Sequence, residues 1–391
     1  MSKKYLYLPL LTLLLFAVSC TSTPLSHPED FSQAEASDQI LTITGFDGVQ
    51  FDGRLRLPSG PVETLVIYVN GSGPNTYDNH RKMGKSLEFS YFDLFAQQCN
   101  QRNLGFFSYD TRGVTLGQTP PLYQTIDKEQ YKTYLPSNEI KDIESIIETL
   151  HTVPRLSKTR IILLGWSSGT AIAPRVALEK PSFVDALVLA GYMNTTMEET
   201  LAWQQSGEAS MIFYRQYFDD NKDLSISPEE LNKDQYGILP ALGMNKETAF
   251  AQLDANADGV IDVEDFKLML APGFAQLKKA IKEGDDQWLQ ANYGVFLTSG
   301  WFKDYAMNMP ANSEILSKLT LPIHIFHGTL DRNVPVQGVR DIEKTFNQMG
   351  KKNLTIHIFA GHDHDLNYLL YPQTGKIPEG LEQLFDTLAT L

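Results

Sequence analysis

Residues 160–169 read Arg160-Ile161-Ile162-Leu163-Leu164-Gly165-Trp166-Ser167-Ser168-Gly169. The apolar run Ile161–Leu164 within it suits a strand buried on both faces of a parallel sheet. The pentapeptide that closes it then opens a helix. So sharp a strand-to-helix turn needs glycine on both flanks, where the backbone crowds, and it pushes the Ser167 hydroxyl out at the carboxyl edge of the sheet. The helix N-terminus behind the serine supplies positive potential and free N–H groups. A lone Gly-x-Ser-x-Gly is a weak signal, and its position at a strand-to-helix joint gives it weight.

The chain on either side keeps the same rhythm. Upstream, Ile40–Gly45 and Gln50–Leu57 alternate around Asp47-Gly48, a hairpin signal. Leu65–Val69 is a continuous apolar run ending in Asn70-Gly71-Ser72-Gly73-Pro74. A helical stretch, the strand Leu104–Tyr109 and a helix over 137–150 with Ile140, Ile143, Ile146, Ile147 and Leu150 on one face lead back to residue 160. Downstream come a short helix, the strand Ala186–Ala190 and, after an interruption, Ile323–Phe326. A helix near 336–349, the strand Leu354–Phe359 and a last helix close the chain. Strands alternating with helices predict an α/β fold, a mostly parallel sheet flanked by helices. Residues 192–320 are too long for an ordinary loop and read as an inserted helical domain, which splits the core into 40–191 and 321–391.

Two further segments fall at strand ends. Gly328-Thr329-Leu330-Asp331-Arg332-Asn333-Val334-Pro335 follows one strand, and Gly361-His362-Asp363-His364-Asp365-Leu366 follows the next. With the serine pentapeptide they give the order Ser, Asp, His, and here the chain resembles the α/β-hydrolase superfamily over about residues 40–191 and 321–391. Asn70–Pro74 is similar to that family's oxyanion loop, with Asn70 in place of the usual His. Tyr109-Asp110-Thr111-Arg112-Gly113 resembles its Asp-x-Arg-Gly turn. The resemblance implies a serine hydrolase in which Ser167 attacks a carbonyl, His364 moves the proton and Asp331 orients the imidazole. The backbone N–H groups of Ser72 and Ser168 would hold the oxyanion. His362, two residues from His364, is the alternative base, and motif alignment favours His364. His324 and His357 lie inside strands and read as structural.

The insertion carries two segments that resemble 12-residue EF-hand loops, 219–230 and 254–265, starting 35 residues apart. Loop positions one, three, five, seven and twelve are Asp219, Asn221, Asp223, Ser225 and Glu230 in the first, and Asp254, Asn256, Asp258, Val260 and Asp265 in the second. Oxygen donors at those positions, with a backbone carbonyl at seven, are what calcium requires. Each loop departs once. Leu224 stands where glycine usually supplies positive φ, so a strained or altered turn is expected. Asp265 is shorter than the usual Glu, which bears on affinity or metal choice. Ile226 and Ile261 are placed to pair as a short strand between the loops. No organic cofactor is implied. In this reading the insertion caps the nucleophile, and bound calcium orders the cap.

The 391 residues are 42% hydrophobic and 20% charged, enough for a sizeable core. The net charge of −14 argues against nucleic acid as a partner, and −9 of it falls in the two loops. Lys3, Lys4 and the apolar run Tyr5–Val18 read as an export signal over 1–20, too short to span a bilayer. Ala17-Val18-Ser19-Cys20 resembles a bacterial lipoprotein box. That implies a lipidated Cys20, a tether over 21–39 and anchoring at a membrane, the outer one being favoured by Thr21 if there are two. Cys99, the other cysteine, reads as a small buried hydrophobe. The function expected is hydrolysis of a carboxylic ester. A peptidase acting on short peptides, or a catalytically silent calcium-dependent binding module, are the alternatives.

Overall fold

The computed structural model describes residues 37–293 and 296–391. The export signal, Cys20 and most of the tether lie outside the described residues.

Twelve strands are described: β1 Ser37–Thr44, β2 Gln50–Leu57, β3 Thr64–Val69, β4 His80–Met83, β5 Leu87–Ser90, β6 Gly105–Tyr109, β7 Val114–Leu116, β8 Gln124–Ile126, β9 Arg160–Trp166, β10 Ala186–Ala190, β11 Ile323–Gly328 and β12 Leu354–Phe359. Eight form the central sheet in the order β1-β2-β6-β3-β9-β10-β11-β12. The hairpin β1–β2 pairs antiparallel with β6, and every other pairing is parallel. The central strands β3, β6, β9 and β10 are buried almost throughout, as their uninterrupted apolar runs require.

Helices cover both faces. On one, Pro136–His151 starts with proline at its first turn, where no N–H is missed, and buries Ile140, Ile143, Ile146, Ile147 and Leu150 against the sheet. Each such isoleucine contributes about 1.5–3 kcal/mol relative to exposure. On the other face, Tyr91–Gln101 and Glu379–Thr390 pack Phe92, Phe95, Leu384 and Phe385 into a second core that also holds Cys99. Burial pushes that thiol up to about 12, so it is inert at neutral pH.

Residues 75–90, expected within a helical stretch, begin instead with the small hairpin β4–β5, and helix starts only at Tyr91. A second small hairpin, β7–β8, follows the turn after β6. The insertion runs from β10 to β11 and is helical from Met197–Gln204 to Asn312–Leu316. Its burial is divided. Residues between Met211 and Phe266 form a core of their own around Tyr214, Phe218, Ile226, Leu253 and Ile261. The later part (Leu277, Leu289, Trp301, Tyr305 and Leu316) joins the main core. One 21-residue helix, Val263–Glu283, links the two, with Phe266 in the small core and Leu277 and Ala280 in the large one.

Candidate active site

Strand β9 delivers Ser167 to a turn with φ of +55°, the left-handed region. Its two glycines are required by contact: a Cβ on Gly165 would lie 2.5 Å from the Gly169 carbonyl oxygen, and one on Gly169 would lie 2.3 Å from that of Val69. The left-handed serine, about 1–2 kcal/mol above its relaxed conformation, is held because its N–H donates to the Ala190 carbonyl at 2.9 Å and its carbonyl accepts from the Thr170 hydroxyl at 2.6 Å. Ser167 is half-buried, whereas Ser168 is buried and its hydroxyl has no partner. Helix Gly169–Glu179 begins immediately after it.

Asp331 sits three residues past β11 and is 1% exposed. Its Oδ1 accepts the N–H groups of Asn333 at 2.8 Å and Val334 at 2.9 Å, which leaves Oδ2 for His364, whose Nδ1 lies 2.7 Å away. Burial alone would raise this carboxyl, but the charge and hydrogen bond of His364 outweigh it and hold it below its ordinary range. The imidazole is shifted the other way. Burial would lower it, and Asp331 reverses that and raises it to about 9. With Nδ1 on Asp331, Nε2 is the nitrogen left for proton transfer. Gly191, φ +60°, packs beneath the ring, where an added Cβ would lie 2.6 Å from Cε1.

His362 is engaged elsewhere: Nδ1 meets the Ala360 carbonyl at 3.2 Å and Nε2 accepts from Gly380 N–H at 3.3 Å. His324 and His357 face each other at 3.2 Å on adjacent strands. A residue that sequence reasoning missed is His327, fully buried in β11, with Nε2 3.4 Å from Oδ2 of Asp331. Its signal was a histidine four residues before the aspartate, in a strand whose other positions are apolar or face a neighbouring histidine.

The loop after β3 lies against the serine: a Cβ on Gly71 would meet that of Ser167 at 3.3 Å. Ser72, on the same loop, is half-buried. Asn70 donates to the Tyr109 carbonyl at 3.1 Å, so the side chain in place of histidine anchors the loop. Asn75 donates to the carbonyls of Gly71 and Gly73, both at 3.1 Å, and Thr111 Oγ1 donates to Gly73 at 3.2 Å. In the same turn Arg112 bonds Asp47 and Asp142.

The arrangement joins a serine on a strained elbow, a buried Asp–His pair and an ordered loop beside the serine. The alpha/beta hydrolase fold family model matches residues 65–364, which spans all of it. The chain belongs to that family. Solved structures similar to this alpha/beta hydrolase include Est1E from Butyrivibrio proteoclasticus, 13% identical, TM-score 0.46, over 90% of this chain and 96% of that one. They also include an esterase from Exiguobacterium antarcticum, 16% identical, TM-score 0.45, over 89% and 97%. A third is the Pyrococcus horikoshii acylaminoacyl peptidase, 12% identical, TM-score 0.48, over 91% of this chain but only 41% of that one. Comparison with curated proteins finds no match.

In the hydrolase's insertion, the two acidic loops have the same backbone course. Lys222 and Leu224 of the first have φ of +62° and +74°, and Ala257 and Gly259 of the second have +60° and +93°. Leu224 thus adopts the glycine conformation and keeps the loop shape at a cost in strain. Ile226 and Ile261 exchange both backbone hydrogen bonds at 2.9 Å. Glu230 Oε1 accepts the N–H groups of Asp220 and Asn221, at 3.1 and 3.4 Å. Asp265 Oδ1 accepts those of Ala255 and Asn256, at 2.7 and 3.1 Å, so the shorter side chain reaches the equivalent amides. Asp219 and Asp254 likewise accept from their own loops. With the carboxylates turned to amides, no three His, Cys, Asp or Glu side chains form a metal-ligand group among the described residues. The donor chemistry, hard oxygens at alternating positions of paired loops, nonetheless suits calcium.

Proposed function

We propose that this chain is an exported serine hydrolase of carboxylic esters, with Ser167 as nucleophile, His364 as general base and acid, and Asp331 as the partner of the imidazolium. The observation that carries the reading is the 2.7 Å contact between His364 Nδ1 and the buried Asp331 carboxylate. The imidazole packs on Gly191, the residue after Ala190, whose carbonyl accepts the Ser167 N–H. Ser167 Oγ attacks the carbonyl carbon as His364 Nε2 takes its proton. The oxyanion is held by the backbone N–H groups of Ser72 and Ser168, each contributing about 3 kcal/mol. Collapse breaks the ester C–O bond, and the alcohol leaves with the proton from His364. Water then repeats the sequence and releases the acid. Ser168 does not compete as nucleophile, because its hydroxyl is buried.

Calcium in the loops is part of the proposal. Asp219, Asn221, Asp223, Glu230 and the Ser225 carbonyl would hold one ion. Asp254, Asn256, Asp258, Asp265 and the Val260 carbonyl would hold the other. Bound there, calcium would neutralise the loops and order the small core of the insertion. Cys20, lipidated, would tether the enzyme to a membrane.

Labelling of residues 21–391 with a fluorophosphonate tests the reading. One adduct at Ser167, hydrolysis of a 4-nitrophenyl ester and loss of both in Ser167→Ala are expected. Short peptides in the same panel separate ester from peptide hydrolysis. An unlabelled serine in calcium-loaded protein would overturn the proposal.

A further inference from the structure

The sequence has eleven arginines, all among the described residues. Eight meet carboxylates or backbone carbonyls: Arg54, Arg56, Arg102, Arg112, Arg155, Arg160, Arg175 and Arg215. Arg81, Arg332 and Arg340 form neither an ion pair nor a side-chain hydrogen bond among the described residues. Arg340 is exposed on the outer helix Gln337–Gln348. The other two lie against the loop that carries His364.

Arg332 directly follows Asp331 and is exposed, with its guanidinium 5.1 Å from the ring centre of Phe213 in the inserted helix Glu208–Phe218. Asp363 is the carboxylate that acts most strongly on it, yet Oδ1 of Asp363 is engaged by the N–H groups of Asp365 and Asn367. Arg81, in β4, lies 5.2 Å from the ring centre of Tyr91, and its Nε is buried without a partner. Tyr91 in turn packs on Tyr368, ring centres 4.1 Å apart, and accepts the Tyr368 hydroxyl at its carbonyl at 2.9 Å, at the other end of the same loop. A guanidinium stacked on a ring keeps its edge N–H groups free, and those form a planar fork that matches a carboxylate. A chain of net charge −14 repels anions at long range, so two unpaired cations beside the base need a local reason.

We propose that Arg81 and Arg332 form an anion clamp on either flank of the His364 loop, and that the substrate is an ester bearing a carboxylate. The proposal rests on the serine-hydrolase reading above and narrows its substrate class. The carboxylate enters as the anion, makes no covalent bond and leaves with its half of the cleaved ester.

Matched ester pairs test it. One pair is mono-4-nitrophenyl glutarate and its methyl ester, with the charge on the acyl side. The other is 4-acetoxybenzoate and its methyl ester, with the charge on the leaving group. In at least one pair the anionic member is expected to have a kcat/KM ten-fold or more above the neutral one. Arg332→Met and Arg81→Met each lower that ratio at least ten-fold, Arg332→Lys lowers it less, and Arg340→Met leaves it unchanged. Because the readout is a ratio within one sample, a general loss of folded protein cancels. Equal or neutral-preferring turnover in both pairs, or a ratio indifferent to both Met variants, overturns the clamp while leaving the hydrolase standing. No turnover of any ester and no Ser167 adduct overturns both.

Discussion

Nε2 of His327 lies 3.4 Å from Oδ2 of Asp331, the oxygen that also meets His364. The Nδ1 atom of His327 accepts the N–H of Tyr192 at 3.1 Å, so its proton sits on Nε2, which points at the Val334 carbonyl 3.2 Å away. Burial keeps His327 neutral, lowering it from its ordinary value. Asp331 is thus approached by one imidazole that gains a proton readily and one that resists it. The first can change charge during a reaction, while the N–H groups of Asn333 and Val334 hold the carboxylate in place.

Activity should therefore rise with pH. In the proposed mechanism His364 acts as base only when unprotonated, and the Asp331 charge raises its pKa to about 9. The kcat/KM profile for a neutral ester is expected to climb well past the ordinary histidine range near 6.5. Asp331→Asn should bring the midpoint down and cut kcat by about 10⁴-fold. A midpoint unmoved by the substitution would show that the 2.7 Å pair does not set the base.

Stability should run the opposite way. Burial raises Glu139, which accepts from the Tyr109 hydroxyl at 3.2 Å, to about 8, and raises Asp110 to about 8. Between about pH 4.5 and 8 the unfolded chain ionises these carboxyls and the native one keeps their protons, so unfolding becomes easier as pH rises. The His364–Asp331 pair adds to the trend, since its stabilisation is complete below 6.5 and fades as pH approaches 9. Urea titrations should give a falling free energy over this range, with a shallower slope in Glu139→Gln by up to about 1.4 kcal/mol per pH unit. A flat wild-type profile would contradict the raised carboxyls.

Gly191→Ala isolates the seat of the base. The added Cβ would strain a φ of +60° and collide with His364 Cε1 at 2.6 Å. Displacing a catalytic group by about 1 Å costs roughly 10²-fold in rate. Steady-state assays should show at least that loss while circular dichroism stays native. Wild-type turnover in the variant would mean that the ring does not need this position.

Leu224→Gly addresses the first acidic loop. Leu224 is 60% exposed, so little burial is lost, and the strain of its φ of +74° is relieved. A gain of about 1 kcal/mol for the inserted unit follows, together with tighter calcium binding at the first loop by isothermal titration. Weaker binding would mean that the leucine side chain contributes to the site.

Much of this was legible in the sequence. Long apolar runs such as 160–164 and 186–190 identified the central strands, and local chemistry marked the Gly165–Gly169 elbow and the two loops. The β4–β5 hairpin was not, because His80–Met83 and Leu87–Ser90 are four-residue, half-buried strands without alternation. His327 escaped notice because its partner Tyr192 comes from a distant segment brought beside it only by the β10–β11 pairing, and because its approach to Asp331 depends on how the loop after β11 turns back. The division of the insertion between two cores was equally hidden, since Trp301 and Tyr305 commit to the main core through long-range packing.

The helix Val263–Glu283 has one feature that ties these parts together. At about 1.5 Å per residue its 21 residues make a rod roughly 30 Å long. Pro272 stands near its middle and offers no N–H to the Leu268 carbonyl, so one rung of the rod is missing there. The rod is clamped at both ends and weakest between them, which makes it a jointed lever. Reorientation of the loop pair would reach Leu277 and Ala280 as a tilt about that joint, with the packing at each end carried along intact.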